Sequence, residues 1–281
     1  GEAYQLPNDP YNETCAAIAN VYWNHRMFLL HGDSKYIDVL ERALYNGVLS
    51  GISLRGDLFF YPNTLRFDGE ASFNRGHAGR APWFDCSCCP SNLSRFIPSV
   101  AGYAYAARGS DIYINLFMNS EAFLQTEEGS LRFAVDTDYP WSGAVQIALE
   151  TVPPGQMGIL IRIPGWVRGR PVPTDLFAYT DALFRKPQIS VNGEQVEYTM
   201  DKGYAVLDRN WQKGDQIGIA LPMAVRQVTA HPKLEAKRGL VALEYGPMVY
   251  CAEQIDNTQD VLEAGISDDM RFGCRPDADK L

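Results

Sequence analysis

Three thiols crowd into four positions of the stretch FDCSCCPSNLSRF, residues 84–96: Cys86, Cys88 and Cys89. The chain of 281 residues has six cysteines, and the other three are Cys15, Cys251 and Cys274. Disulfides explain the cluster poorly. Neighbouring cysteines bridge one another only with strain, so each would need its own distant partner. Metal ligation and thiolate chemistry remain. A zinc site draws about four ligands from thiolate, imidazole and carboxylate. The cluster could supply two or three. The best remaining donors are Glu13 and Cys15 in NETC, two positions apart where a helix begins and the backbone is not yet regular. Taken singly, each has a plainer use: Cys15 as a small buried hydrophobe, Glu13 as a helix-cap carboxylate.

Further side chains could line such a site. His77 lies in NRGHAGRAPWF, just before the cluster, and reads equally well as a surface-loop histidine. His25 falls on an apolar helical stripe and reads as a core histidine. Trp83, Phe84, Tyr61 and Tyr4 could stack on a sugar ring, although most aromatics are core. The chain carries no phosphate-cradling glycine loop and no dinucleotide fingerprint.

The elements that must hold these residues change character near residue 108. Before it the period is helical. Ile18, Val21, Tyr22, His25 and Leu29 fall on one stripe, with Gly32 to end the helix and Asp33 or Ser34 to cap the next. Tyr36, Val39, Leu40, Ala43 and Leu44 repeat the pattern. GISLRGDLFFYPNTL reads as a short strand pair or ordered excursion. Pro90 with Ser91 or Asn92 opens a third helix through about Tyr105, with Pro98 near its first turn or kinking it. After residue 108 the period becomes two, in about eight short antiparallel strands separated by turns. Asn192-Gly193 is the strongest hairpin signal. The spacing predicts a β-sandwich. The division expected is a helical portion over 1–108 and β-sandwich over 109–281.

Composition excludes several classes. The formal net charge is −9, against nucleic acid or an anionic membrane surface as main partner. No apolar run is long enough to span a bilayer. Six cysteines are too few for a disulfide scaffold, and 46% hydrophobic residues can bury a core. The first residues, GEAYQLPNDPYNETC, lack the pattern of a signal peptide and begin abruptly, so an upstream portion is expected. The compartment stays open between bacterial cytoplasm and periplasm.

The segments LPND and ETCAAI, YWNHRMFLLHGDSKYIDVLERALYNGVLSG, FFYPN and PWFDCSCCPSNLSRFIPS resemble the zinc-dependent β-L-arabinofuranosidase families of glycoside hydrolases over roughly residues 1–120. The resemblance implies a mixed fold: an α-helical part that is a portion of an (α/α)6 barrel, its N-terminal half missing here, followed by an all-β sandwich. It implies Zn2+ held by Glu13, Cys15, Cys88 and Cys89, with Cys88 as nucleophile and Cys86 outside the ligand set. The family's general acid is a glutamate before the LPN motif, which falls on Glu2 or on a residue upstream of the chain. The function implied is a retaining hydrolase releasing β-L-arabinofuranosyl residues from a plant-type glycan. His77 and Trp83, by their place beside the cluster, are the expected substrate contacts, and a homodimer is one expected assembly. Two other readings stay open: a non-catalytic glycan-binding module with a structural zinc, and a hydrolase in which zinc activates water. Every version requires Cys15 to meet the Cys88–Cys89 pair.

Overall fold

A computed structural model of the chain describes residues 4–8, 10–67, 72–182, 185–253, 256–261, 263–267, 270 and 272–274. Helix α1 (Thr14–His31) starts after Glu13, whose backbone is extended, and ends at Gly32 in the left-handed region, φ 62°, with its N–H donating to the Phe28 carbonyl. That turn suits glycine, which meets no Cβ penalty there. Helix α2 (Ser34–Ala43) is capped by Asp33, whose carboxylate accepts from the Lys35 N–H at 3.0 Å. The chain then tightens through a π-turn (Leu44–Val48) and a 3-10 turn ending at Gly51. Residues 52–59 close on themselves through the single bridge of Ile52 with Phe59, rather than forming a strand pair. Helix α3 (Cys88–Phe96) begins at the cysteines themselves, two residues before the expected start. It gives way to 3-10 structure over Ile97–Tyr103, because Pro98 has no N–H to continue α bonding.

The α1 stripe differs in phase from the one expected. Ile18, Val21, Asn24 and Phe28 are buried, while Tyr22 and Leu29 are exposed and His25 is half-buried, edge-on to Tyr103. Apolar residues ring this helix on all sides, so periodicity alone does not choose which face turns inward. On α2, Leu40 and Leu44 are buried as expected and Ile37 joins them.

Three sheets follow. The first has five strands in the order β1 (Tyr105–Arg108), β2 (Asp111–Ile114), β6 (Gln156–Arg162), β11 (Tyr204–Asn210), β10 (Thr199–Asp201). The second has six: β3 (Ser120–Gln125), β4 (Ser130–Thr137), β5 (Ala144–Thr151), β12 (Gln216–Ala220), β8 (Gln188–Val191), β9 (Glu194–Gln195). The third has four: β15 (Met248–Tyr250), β14 (Val241–Tyr245), β13 (Val225–Ala230), β7 (Phe177–Tyr179). β8 and β9 form the Asn192-Gly193 hairpin, with φ of 53° and 82° at the turn, as a primed two-residue turn requires. One pairing is parallel, β2 with β6, because the chain crosses to the second sheet for β3–β5 before it returns. The expected sequence of purely antiparallel strands therefore fails at that junction. β1 and β7 went unpredicted; four- and three-residue strands carry too little alternation to register.

The first two sheets face each other across one apolar core that includes Ile112, Phe133, Val145, Ile147, Ile159, Ile161 and Ile217. Alternate residues of β6 turn the other way. Leu160 joins the helical core with Tyr204, Ile18, Leu40 and Phe96, and Arg162 pairs with α2. The three helices thus lie on the outer face of the five-stranded sheet. Among the described residues no helix is long and apolar enough to cross a membrane.

Candidate active site

The site forms where two helix N-termini meet. An extended run at residues 59–63 passes beside the start of α1. The Thr14 N–H donates to the Tyr61 carbonyl at 3.0 Å, the Thr14 hydroxyl to the Phe60 carbonyl at 2.9 Å, and the Asn63 N–H to the Asn12 carbonyl at 2.7 Å. Glu13, bridged to Pro62, is therefore held extended while Cys15 is already helical, and both turn toward α3. Cys88 and Cys89 are the first residues of α3. The positive ends of both helix dipoles face the donors, which favours anionic ligands.

Donor atoms of Glu13, Cys15, Cys88 and Cys89 lie within 4.8 Å of one another. The Cys88 sulfur is 3.8 Å from the Cys15 sulfur, 3.9 Å from that of Cys89 and 3.8 Å from the Glu13 Oε1. The Cys89 sulfur is 3.7 Å from the same oxygen. A tetrahedral zinc with Zn–S of about 2.3 Å and Zn–O of about 2.0 Å sets its ligands roughly 3.5–3.8 Å apart. The donor set fits that ion in number, type and spacing. Outside it, the Asn92 side-chain amide donates to the Cys15 sulfur at 3.4 Å, and the Cys88 thiol donates to the Tyr61 hydroxyl at 3.0 Å.

Cys89 is fully buried and Cys88 half-buried. Burial, the largest cause, pushes both thiols up from their ordinary range. Without a cation these sulfurs keep their protons and attack poorly. The Tyr61 phenol is also raised, first by its hydrogen bond to Cys88, whereas Cys86 is lowered, first by its hydrogen bond to Tyr61.

Tyr61 is itself positioned. Asn74, fully buried, accepts from the Tyr61 N–H at 2.7 Å and donates to the Phe59 and Gly79 carbonyls at 3.1 and 2.8 Å. The Arg75 guanidinium lies 4.2 Å from the Tyr61 ring centroid. Asn74, Arg75 and the Asn92 contact had no signal in the sequence, since asparagine and arginine in a glycine-punctuated loop read as turn and solvent residues. His77 and Trp83 are exposed and line one cleft with Cys86. Tyr4 stands apart from the donors: its hydroxyl donates to Asp175 at 2.6 Å and its ring stacks on His231. Glu2 lies outside the described residues. All six cysteines are free.

Residues 1–102 match the family model described as the β-L-arabinofuranosidase GH127 catalytic domain, 111–223 the GH127 middle domain, and 225–276 the C-terminal domain of glycoside hydrolase family 127. The class is that of the glycoside hydrolases. Relatives agree. A non-reducing end β-L-arabinofuranosidase of Bifidobacterium longum subsp. longum is 34% identical over 275 residues, covering 94% of this chain and 39% of that protein. A solved GH127 β-arabinofuranosidase superposes with a TM-score of 0.87 at 48% identity, covering 93% of this chain and 40% of the other. A GH127 β-L-arabinofuranosidase from Geobacillus stearothermophilus T6 gives 0.81 at 38% identity, covering 92% and 39%. The chain belongs to glycoside hydrolase family 127. It spans about two fifths of the length of these relatives.

Proposed function

We propose that this chain carries the nucleophile and metal ligands of a retaining β-L-arabinofuranosidase acting on plant-type arabinose-containing glycans. The observation that carries the reading is the convergence of Glu13, Cys15, Cys88 and Cys89, whose donor atoms lie within 4.8 Å of one another. Zn2+ bound by these four would keep Cys88 a thiolate and ease its departure as a leaving group. The Cys88 sulfur attacks the anomeric carbon; a C–S bond forms as the glycosidic C–O bond breaks. A carboxylic acid, Glu2 or a group outside the chain, gives its proton to the leaving oxygen. The resulting carboxylate then takes a proton from water, whose oxygen bonds to the anomeric carbon while the C–S bond breaks. Two displacements retain configuration. Tyr61, in contact with the Cys88 sulfur, fixes where that sulfur stands.

We also propose that the helices are part of an (α/α)6 barrel. Trp23, Leu29 and Leu30 on the outer side of α1 are 65%, 61% and 71% exposed. Such a face on a helix that is apolar all round suits packing against further helices.

Metal analysis of purified protein is expected to find one zinc per chain. In an intact enzyme containing these residues, Cys88→Ala is expected to abolish hydrolysis of an aryl β-L-arabinofuranoside. An active Cys88→Ala enzyme would remove the nucleophile assignment. Zinc with no hydrolysis by the intact parent would favour a structural metal in a glycan-binding module.

A further inference from the structure

At the end of α1 away from the cysteines, a cleft of about 310 Å³ opens where the start of α2 meets the first sheet. Four cations line it, Lys35, Arg168, Arg170 and Lys202, against two carboxylates, Asp33 and Asp38. That is an excess of two positive charges on a chain whose formal net charge is −9. We propose that the cleft binds a phosphate group, a dianion rich in acceptor oxygens, and so takes a phosphorylated small molecule. It shares no residue with the cysteine centre and does not rest on the assignment of Cys88.

Charge accounting selects the ligand. Both carboxylates are already taken. Asp33 accepts from the Lys35 N–H and from the Lys35 ammonium, each at 3.0 Å. Asp38 accepts from Arg162 at 2.8 Å, from Arg168 at 2.7 Å and from the Gly165 N–H at 3.0 Å. The other two cations lack such a partner. The exposed Lys202 ammonium donates to the neutral His31 carbonyl at 2.9 Å. Exposed Arg170 makes no ion pair among the described residues. An uncompensated guanidinium and ammonium on one cleft attract a dianion. The guanidinium adds a planar fork of donors that matches phosphate geometry. The end of α2 does not supply the site, because its first N–H groups are occupied: that of Ser34 by the Lys202 carbonyl at 2.9 Å and that of Lys35 by Asp33.

The cations stand on backbone that is fixed in advance. Residues 164–170 wind through a turn that ends at Gly169, φ 76°. The Arg170 N–H donates to the Gly165 carbonyl at 2.8 Å and the Gly169 N–H to the Trp166 carbonyl at 3.4 Å. This pair of bonds is a Schellman closure. Arg168 and Arg170 flank its glycine, and Arg168 is pinned further to the Ser34 hydroxyl at 3.0 Å and the Ile163 carbonyl at 2.9 Å. Lys202 occupies the β10–β11 turn with φ of 45°, followed by Gly203 at 83°. A Cβ on Gly203 would collide with the Ser34 hydroxyl, so this turn lies directly against α2. Donors held in place lose little entropy on binding.

Isothermal titration of the purified protein at constant ionic strength, at about pH 8 where a phosphate ester is fully ionised, tests the cleft with glucose 6-phosphate, inorganic phosphate, glucuronate and glucose. Glucose 6-phosphate is expected to bind at one site per chain, about tenfold tighter than glucuronate and about a hundredfold tighter than glucose. Arg170→Gln and Lys202→Gln are each expected to weaken it about tenfold. Lys186→Gln, which removes an ammonium paired with Glu197 at 3.2 Å outside the cleft, is expected to leave it unchanged. Inorganic phosphate as tight as the ester supports the site with the free ion as its ligand; a tighter ester supports it with a phosphorylated sugar. Glucuronate matching glucose 6-phosphate overturns the phosphate assignment. Equal binding by glucose, or ester binding retained when Arg170→Gln and Lys202→Gln are combined, overturns the cleft as a site. So does an equal loss in Lys186→Gln, which would report overall charge instead.

Discussion

Burial pushes the Cys88 and Cys89 thiols up, so protons and metal compete for the same sulfurs. Zinc binding must release those protons, and its affinity therefore rises with pH. Each thiol protonated before binding adds about tenfold per pH unit, so the three thiols of the donor set give a slope of up to about 1000-fold per unit, flattening only where the free thiols ionise by themselves. Competition against a chelator between pH 6 and 8 should show that slope; a flat profile would mean that the thiols are not ligands. Asn74 is the second test at this scale. Asn74→Ala leaves the Tyr61 N–H without its buried acceptor and the Gly79 carbonyl without its donor, while the Phe59 carbonyl keeps only the Ala81 N–H at 2.9 Å. The expected cost is about 2 kcal/mol in urea unfolding. The four clustered donors could be picked out of the sequence because thiols at that density have few other uses. Asn74 could not, because its value lies in three backbone partners that only the folded loop brings within reach.

Helix α1 delivers Glu13 and Cys15 only because its first turn is braced from behind. A Cβ on Gly51 would sit 2.6 Å from the Thr14 Cγ2 and 2.8 Å from its Oγ1. Thr14 is buried and bonded to the Phe60 carbonyl, so it has no room to yield. Gly51→Ala is accordingly expected to cost about 1–3 kcal/mol of stability. It should also weaken zinc binding about tenfold, because the displaced turn carries two ligands, whereas Gly102→Ala, where a Cβ meets open space, should leave zinc binding unchanged. Equal zinc affinity in Gly51→Ala and parent would show that the brace does not control the donors. Helix existence was legible at this scale, and so were the stop at Gly32 and the cap of α2 as Asp33 or Ser34, of which the fold uses Asp33, since those residue types have few other reasons to follow an apolar period. The phase of α1 was not, because a helix apolar on every side gives no moment to orient it.

Across the molecule, one arginine joins the helices to the sheets. Arg162, on the outward face of β6, is fully buried. It donates to Asp38 at 2.8 Å, to Glu41, and to the Asn115 carbonyl at 2.5 Å. Tyr139 donates to the same Glu41 oxygen at 2.8 Å. Further along α2, Arg42 reaches Glu244 of the third sheet at 2.5 Å. Thus α2 presents charge, not only apolar surface, to the β structure. Sequence patterning could not show this. Arg162 interrupts the apolar run of β6, and Asp38 and Glu41 look like the solvent face of an amphipathic helix until the sheet covers them. Removing one partner of a buried charge network strands the rest. Arg162→Met is expected to cost about 3–5 kcal/mol near neutral pH. The sign of the pH effect follows from Glu41, whose carboxyl burial already pushes up. An acid with a raised folded pKa destabilises the fold when ionised and ceases to do so when protonated. Without the arginine that penalty grows. The deficit of Arg162→Met should therefore be largest above the folded pKa of Glu41 and shrink as the pH falls toward the unfolded carboxylate range. Adding Glu41→Gln should recover part of the loss and remove most of the pH dependence. Urea unfolding of the parent, the single and the double variant from pH 4.5 to 8 reads all three effects; a deficit independent of pH would mean that packing around the Arg162 side chain, not its charge, holds the helices to the sheet.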